Sequence, residues 1–330
     1  MITFTGTTAL EYWMWLSRTR SKRPTLISKK AYLPDVAPSP VCALFESEHF
    51  RNSGKIELLI RSHSLSRGTC NVHCIVRGKE FPKGSFIRIS RGVQVVSPQL
   101  LFLEFANRFE LPELVQLGNR LTSKFVYSSD GKQFYEAVPI TNAYAIKVFL
   151  QYMDGYPGIK TARRAVKYLF DKAESPMEIK CTCLLILPRA LGGYGLPIPK
   201  LGYEIEVDRE MFPNYPRSSV RFDMFWKNGR LDVEYDSDRH HSGTEKLRMD
   251  SLRRNIIRYL GYYMITVTSV EYFDIDAMTK IATNVAKLIG YRLPHLDIEW
   301  RQRSLVLRDS FQKSEKLGCQ TEYFESNNFM

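Results

Sequence analysis

The acidic side chains between Arg221 and His241 are the residues of this sequence best placed to do chemistry. The segment RFDMFWKNGRLDVEYDSDRHH holds five Asp and Glu residues, although the whole chain has 47 Lys and Arg against 35 Asp and Glu, a net charge of +12. Grouped carboxylates bind hard divalent cations such as Mg²⁺. The segment therefore predicts a metal site, in a chain whose positive charge suits a polyanion such as nucleic acid.

The turn in this segment determines which acids face each other. Asn228-Gly229 lies between two strand-like runs and predicts a two-residue hairpin turn with positive φ at both positions. In that register Asp223 lies directly opposite Glu234. Opposed side chains on paired strands have Cβ atoms about 4.5–5.5 Å apart, and like charges there are destabilising. The hairpin therefore predicts a counter-charge near this pair.

Two sources of that counter-charge fit the sequence. Strand alternation places Asp232 and Asp236 on the same face as the opposed pair. Mg²⁺ or Mn²⁺ bound by Asp223, Glu234 and Asp236 would balance these charges. The alternative is an ion-pair network, in which Arg221 lies opposite Asp236. Four acids on one face, two of them opposed, favour the metal site.

The helix predicted after the hairpin adds positive charge. It runs from Thr244 to Leu260, and Gly261 follows it. On a helical wheel Arg253 falls inside the apolar stripe. An inward Arg neutralises carboxylates or holds a phosphate, and the alternative is a side chain that reaches solvent. The other basic residues are candidates for contacts with nucleic-acid phosphates, or form a solvated helix face: Lys246, Arg248, Arg254 and Arg258.

Three further residues are candidate catalytic groups. His240 and His241 follow the acids, and an imidazole near a metal-bound water can act as general base or leaving-group acid. The alternatives are a turn histidine and a surface histidine. Glu178 is the third candidate, and its alternative role is structural, because Ser175, Pro176 and Glu178 form a capping box at the start of a helix.

The elements that position these residues form two folded regions and a tail. The first region, residues 1–172, is predicted to be a smaller α+β domain with strands near 56–61, 72–77 and 86–96, a helix that begins at Ser97-Pro98, and helices at 142–153 and 159–172. The second region, residues 173–295, is predicted to be α/β and contains the strand YEIEV, the hairpin, its helix, the strand YYMITVT and a last helix near 277–289. Residues 296–330 are charged and polar and are predicted to form a frayed tail.

Composition excludes several classes of protein. Six Cys at irregular spacing fit neither a disulfide framework nor a zinc site, and Cys181 and Cys183 are predicted to be buried thiols. No stretch approaches the roughly 20 apolar residues of a membrane span. The N-terminal charges follow the apolar run, which is the wrong order for a signal peptide. The sequence therefore predicts a soluble, cytoplasmic protein without a membrane partner.

The order of these motifs resembles the PD-(D/E)XK nuclease superfamily. Asp223, then EYD, HH and DSLRRNIIRYLGYYMITVT, is most similar to the branch related to the very-short-patch-repair endonuclease, over about residues 175–290. The resemblance implies an α/β fold with a restriction-endonuclease-like mixed sheet flanked by helices. It also implies that Glu178 is the carboxylate of the first helix of that fold.

Two positions depart from the superfamily pattern. Asp236 stands at the position of the superfamily's lysine, as in the very-short-patch branch, so that Lys246 could substitute only from the helix. Ser237 replaces the glycine that follows that aspartate. Upstream, the stretches VHCIVRG, ISRGVQVVSPQLLFLEFA and TTALEYW resemble segments of AbiEi-type antitoxins, which implies an antitoxin-like or recognition role for residues 1–172.

Two functions are consistent with these features. The first is a Mg²⁺-dependent endonuclease that hydrolyses DNA phosphodiester bonds, in which Arg253, Arg254 and Arg248 hold phosphates. The alternative is a non-catalytic, DNA-binding regulator with a nuclease-like fold and a toxin or other regulatory partner. The upstream resemblance and the absent lysine favour the regulator, whereas the group of acids favours the nuclease.

Overall fold

The chain forms two compact units of mixed α/β structure, in which mixed sheets are flanked by helices. The computed structural model describes residues 2–19, 25–26, 56–66, 72–90, 92–128, 131–236 and 244–315. The first unit comprises Met1–Leu169 with Gln312–Met330, and the second comprises Phe170–Phe311. The division between them after Leu169 lies close to the boundary predicted after residue 172.

The first unit is built on a six-stranded sheet with the strand order β2-β5-β6-β1-β3-β4. Its strands are β1 (Ile2–Phe4), β2 (Thr25–Leu26), β3 (Ile56–Ile60), β4 (Val72–Val76), β5 (Phe86–Ser90) and β6 (Val93–Val96). A separate hairpin pairs β7 (Phe125–Tyr127) with β8 (Phe134–Glu136). The helices are α1 (Gly6–Thr19), α2 (Pro98–Phe105), α3 (Leu111–Leu121), α4 (Ala143–Phe149) and α5 (Ile159–Ala165).

Local sequence accounts for most of these boundaries. Ser97 caps α2, since its hydroxyl accepts the N–H of Leu100 at 3.3 Å, and Pro98 opens the helix as predicted. The single strand predicted over 86–96 is wrong, because β5 and β6 are two antiparallel strands. The chain reverses at Gly92, whose φ of +84° favours glycine.

The second unit contains the four-stranded sheet that carries the acidic segment, with the strand order β12-β11-β10-β9. Its elements are α6 (Pro176–Ile186), β9 (Lys200–Glu206), β10 (Ser219–Trp226), β11 (Leu231–Asp236), α7 (Thr244–Tyr259), β12 (Tyr263–Thr268), α8 (Ser269–Phe273), α9 (Ile275–Leu288) and α10 (Ile298–Glu315). β9, β10 and β11 pair antiparallel, whereas β11 and β12 are parallel. A parallel pair needs a crossover connection, and α7 provides it.

The helix α7 lies where the hydrophobic pattern predicts it. Ile256 and Ile257 are buried in a cluster with Val220, Phe222 and Phe225 of β10. Burial of this apolar stripe stabilises the helix against the sheet. The helix ends before Gly261, which has a φ of +74°.

The hairpin has the predicted register but a different turn. Met224 pairs with Val233 and Trp226 with Leu231, which confirms the register in which Asp223 opposes Glu234. The predicted positive φ at Asn228-Gly229 is wrong, since the left-handed residue is Arg230, with a φ of +46°. The N–H of Arg230 bonds to the carbonyl of Lys227 at 3.1 Å. A four-residue loop of this kind closes the same strand pairs as a two-residue turn.

The predicted frayed tail at 296–330 is wrong for residues 298–315, which form α10. Trp300 is only 3% exposed, its indole N–H donates to the carbonyl of Gly193 at 2.9 Å, and its ring centroid lies 5.1 Å from that of Tyr194. Leu307 and Phe311 are buried on the same helix. These apolar residues recur at helical spacing within a charged segment, and their burial stabilises α10. The average polarity of the segment does not reveal this pattern. Residues 316–330 lie outside the described residues.

The cysteines on α6 are buried thiols, as predicted. Cys181 and Cys183 are each fully buried, and neither they nor Cys74 forms a disulfide bond within the described residues. Across the part of the chain that the structure describes, no helix combines the length and the apolar character that crossing a membrane requires.

Trp300→Ala tests whether α10 contributes to the folded second unit. Loss of the buried indole and its hydrogen bond is expected to lower the free energy of unfolding by about 3–5 kcal/mol. The matched control is Val306→Ala in the same helix, where the side chain is 69% exposed and the change should stay within about 0.5 kcal/mol. Urea denaturation followed by circular dichroism measures both changes. If Trp300→Ala and Val306→Ala unfolded at the same urea concentration, the structural role of α10 would be contradicted.

Candidate functional site

The acidic side chains of the second unit come together on its two central strands. Asp223 lies on β10, Asp232 and Glu234 lie on β11, and Glu178 lies on α6. The charge of Glu234 acts on Asp223, and that of Asp223 acts on Glu178. The backbone N–H of Tyr235 donates to Oδ2 of Asp223 at 3.4 Å. Four carboxyl groups from three elements, here called the carboxylate cluster, therefore share one environment.

Asp232 is the member of the cluster that sequence reasoning gave no functional role. It is fully buried, and its Oδ1 accepts the N–H of Met224 at 3.3 Å, while its Oδ2 is buried with no hydrogen-bond partner in the described structure. Its carboxyl also lies beside that of Glu234. Because two ionised carboxylates only accept hydrogen bonds, this proximity is unfavourable unless one of the two is protonated. Alternation along β11 had placed Asp232 on this face, but the predicted ligand set did not include it.

Burial and mutual repulsion change the acidity of the cluster. Burial, followed by the charge of Asp223, raises the pKa of Glu178 to about 8. Burial and then the charge of Glu234 raise the pKa of Asp223 to about 6. The pKa of Asp232 is raised well above its ordinary value by the same causes. Without a further positive charge, the four carboxyl groups therefore do not all ionise near neutral pH.

Arg253 supplies one positive charge to the cluster. Its Nη1 donates to Oε2 of Glu234 at 2.5 Å, its Nη2 forms an ion pair with Oε1, and Nη2 also donates to the carbonyl of Arg221. Burial opposes the charge of Arg253, but the hydrogen bond and the attraction of Glu234 raise its pKa. Of the two orientations that the sequence left open for Arg253, the structure shows the inward one, and the guanidinium neutralises Glu234.

Arg221 forms an ion pair with an acid other than Asp236, the partner that the alternative ion-pair network predicted for it. Its guanidinium forms an ion pair with Glu174 and donates to the carbonyl of Lys172 at 3.2 Å. Asp236 is exposed at the end of β11.

Glu178 both caps α6 and joins the cluster. The hydroxyl of Ser175 accepts the N–H of Glu178 at 3.1 Å, as a cap should. In a capping box the carboxyl of Glu178 would accept the N–H of Ser175. That part of the prediction is wrong, since Oε2 of Glu178 accepts the N–H of the preceding residue, Glu174, at 2.9 Å. The carboxyl is only 8% exposed, so this cap lies in the low-dielectric surroundings of Asp223.

The remaining predicted site residues lie outside the cluster or outside the described residues. His240 and His241 belong to the latter group, and Lys246 lies on α7 with a side chain that the structure does not describe. The basic residues on the exposed side of α7 are Arg248, Arg254 and Arg258.

The donors fit a divalent cation only in part. Among the described side chains, no set of three or more His, Cys, Asp or Glu residues is arranged to hold a metal ion. Mg²⁺ usually binds through one or two carboxylates and completes its shell with water and substrate oxygens. Asp223 and Glu234 would provide that smaller number of ligands, and Oδ2 of Asp232 is a further buried acceptor without a hydrogen-bond partner in the described structure. The three-residue ligand set with Asp236 stays a prediction.

Comparisons of this chain with protein-family models, with curated proteins and with solved structures found no match.

Glu178→Gln tests the raised pKa of the buried carboxyl. Since folding raises this pKa from 4.5 to about 8, the folded state binds the proton more tightly than the unfolded chain does. The stabilising effect of that proton is complete below about pH 4.5 and is lost as the pH rises through about 8. The variant should lose less stability over this range, by on the order of 1–4 kcal/mol. Denaturant titrations at several pH values, with a chelator present, measure the difference.

The matched control for this measurement is Glu206→Gln, which removes an exposed carboxyl from β9 of the same sheet. Its pH profile should parallel that of the unmodified protein. A Glu178→Gln profile that also runs parallel would contradict a buried, repelled carboxyl at this position.

Arg253→Met tests the ion pair with Glu234. The variant leaves a half-buried carboxylate without its counter-charge, and the expected loss of stability is about 3–5 kcal/mol. Adding Glu234→Gln should recover part of that loss, because the amide carries no charge. Arg254→Met, at the exposed neighbouring position, should change stability by less than about 0.5 kcal/mol. Additive effects of Arg253→Met and Glu234→Gln in a double-mutant cycle would contradict the pairing.

Proposed function

We propose that this protein is a Mg²⁺-dependent endonuclease that hydrolyses DNA phosphodiester bonds. The observation that carries the proposal is the carboxylate cluster, in which Asp223, Asp232 and Glu234 share the guanidinium of Arg253 and Glu178 lies beside Asp223. A chain with a net charge of +12 that nevertheless concentrates acids at one buried point is suited to hold a cation beside a polyanion.

Repulsion within the cluster supports a cation as the missing counter-charge. Burying like charges together is unfavourable, and sheets do not gain stability from acids on opposed strands. Asp223 and Glu234 would hold the cation, since they lie opposite each other in the register of β10 and β11. When bound, Mg²⁺ would polarise the scissile phosphate and lower the pKa of a bound water.

The arrangement of elements also supports the proposal. The acids lie on two central strands of a mixed sheet, Glu178 lies on the helix that precedes the sheet, and Arg253 lies on the crossover helix. A restriction-endonuclease-like fold, which the motif order implies, would place its carboxylates in this way. The fold name and the nuclease activity both belong to the proposal.

Basic side chains near the cluster would bind the nucleic acid. Arg248, Arg254 and Arg258 are exposed on α7, the helix that also carries Arg253. Arginines on one helix can contact successive phosphates without reading the bases. His240 or His241, between β11 and α7 in the sequence, would transfer a proton.

A non-catalytic regulator is the second candidate, and one observation favours it. The Arg253 guanidinium already neutralises Glu234, so the cluster has a partial counter-charge without any metal. In that case the second unit would be a nuclease-like fold that binds DNA, with a toxin or another regulatory protein as partner.

A nicking assay on supercoiled plasmid with Mg²⁺ tests the nuclease. Asp223→Asn and Glu234→Gln should each lower the rate by about 100-fold or more, because even residues that only support metal ligands contribute about 10–100-fold. Glu206→Gln, with its exposed carboxyl on β9, is the matched control and should keep the full rate. Asp236→Asn reports whether the exposed acid is a ligand.

The outcomes separate the two candidates. Equal nicking by the unmodified protein, Asp223→Asn and Glu234→Gln would rule out catalysis by the cluster. Absence of nicking, combined with binding of one DNA sequence far more tightly than random DNA, would assign the regulator.

A further inference from the structure

A cavity in the first unit is lined by polar side chains, and two of them use only part of their hydrogen-bonding capacity. It has a volume of about 230 Å³ and lies beside β4 and the end of α2. Its polar lining includes His73 on β4, Arg77 after it, Glu104 on α2, and Asn107 with Arg108. None of these residues belongs to the second unit, so the cavity is a separate candidate site.

Glu104 provides an acceptor with no donor. Its Oε2 accepts the hydroxyl of Thr5 and the N–H of Gly6, the latter at 3.4 Å. Its Oε1 is buried and has no hydrogen-bond partner in the described structure. Burial raises the pKa of this carboxyl to about 7. A ligand donor at Oε1 would replace the hydrogen bonds that burial removes.

Arg77 provides a donor group with spare capacity. Its Nη1 donates to the carbonyl of Val76 at 3.0 Å. Within the described ranges no carboxylate forms an ion pair with Arg77. Its positive charge nevertheless acts on the carboxyl group of Glu104 across the same cavity. A guanidinium has five N–H donors in a planar fork, so most of its donors are available for a ligand.

Arg108 and His73 form a wall of the cavity, and both contact the carboxyl group of Glu57. Nη1 of Arg108 donates to Oε2 of Glu57 at 3.0 Å, and Nη2 lies 2.8 Å from Oε1. Nδ1 of His73 lies 3.3 Å from the same Oε1, and the N–H of Thr7 donates to Oε2 at 2.5 Å. This network fixes the wall and leaves Arg77 and Glu104 as the groups that a ligand would meet.

The mixed signs of these two groups select the chemistry of the ligand. The carboxyl group of Glu104 would repel a simple anion, and the guanidinium of Arg77 would repel a simple cation. A neutral planar group with adjacent donors and acceptors satisfies both at once. Nucleobases have such edges, and the positive charge of the chain favours a nucleotide over other planar amides.

We infer that this cavity binds a guanine base, with the O6 and N7 acceptors of guanine on Arg77 and its N1–H donor on Oε1 of Glu104. Two adjacent acceptors facing an arginine fork make the most common specific contact between arginine and a base. Carboxylate oxygens accept donors from base edges in the same way. The exposed amide of Asn107 lies at the cavity wall to supply a further contact.

The size of the cavity agrees with a single base. Pockets for drug-sized ligands are typically about 300–1,000 Å³, and about 230 Å³ suits a base with its sugar and phosphate outside. The base can come from a free nucleotide or from an unpaired position in a nucleic-acid strand, since both present the same edge.

Calorimetry with the full chain and guanosine monophosphate as the probe tests this assignment. The guanine nucleotide should bind at least tenfold more tightly than the adenosine, cytidine and uridine monophosphates. Arg77→Met should weaken binding by tenfold or more, and Glu104→Gln by threefold or more, because an amide accepts less strongly than a carboxylate. Arg164→Ala removes one exposed positive charge of the same unit and should leave binding within twofold. Thermal melting monitors folding.

Two further arms keep the inference testable if a buried substitution unfolds the protein. Asn107→Ala, at the exposed cavity wall, should weaken guanine binding severalfold. A thymidine pentanucleotide with one central guanine identifies the source, since tighter binding than the free nucleotide assigns a strand and weaker binding assigns the nucleotide. No binding of either guanine probe, or equal affinity for all four bases, overturns the inference. The readout needs no Mg²⁺ and no turnover, so it is independent of the nuclease proposal.

Discussion

The constraint on which the second unit depends is an excess of negative charge between its central strands. Four carboxyl groups share the environment of Asp223, and Arg253 neutralises only part of their charge. Protons, the guanidinium or an added cation must supply the remainder. Each of these solutions gives the same residues a different role, so the proton and ion content of the cluster distinguishes the proposed nuclease from the proposed regulator.

The sequence predicted the part of this site that depends on local rules. Alternation and the Asn-Gly signal gave the register of β10 and β11, although the turn itself places its positive φ at Arg230. The register was robust because a one-residue slip would have exposed Val233 and its neighbours. Helical periodicity placed Arg253 inside the apolar stripe, and the structure brings it to Glu234.

The rest of the site depends on contacts between distant parts of the chain. Arg221 forms an ion pair with Glu174, which lies just before α6 and almost 50 positions earlier in the sequence. The full burial of Asp232 likewise depends on tertiary packing rather than on strand alternation. In α10, average polarity concealed apolar residues at helical spacing. Pair contacts of this kind have no local sequence signal.

The most direct test of the account is an NMR titration of the side-chain carboxyl carbons of Glu178 and Asp223, with and without Mg²⁺. In a chelator, Glu178 should titrate near pH 8 and Asp223 near pH 6, and saturating Mg²⁺ should lower both pKa values because the cation stabilises the ionised forms. Ordinary acidity of both groups in the chelator, with no response to Mg²⁺, would contradict a buried excess of negative charge that a cation relieves.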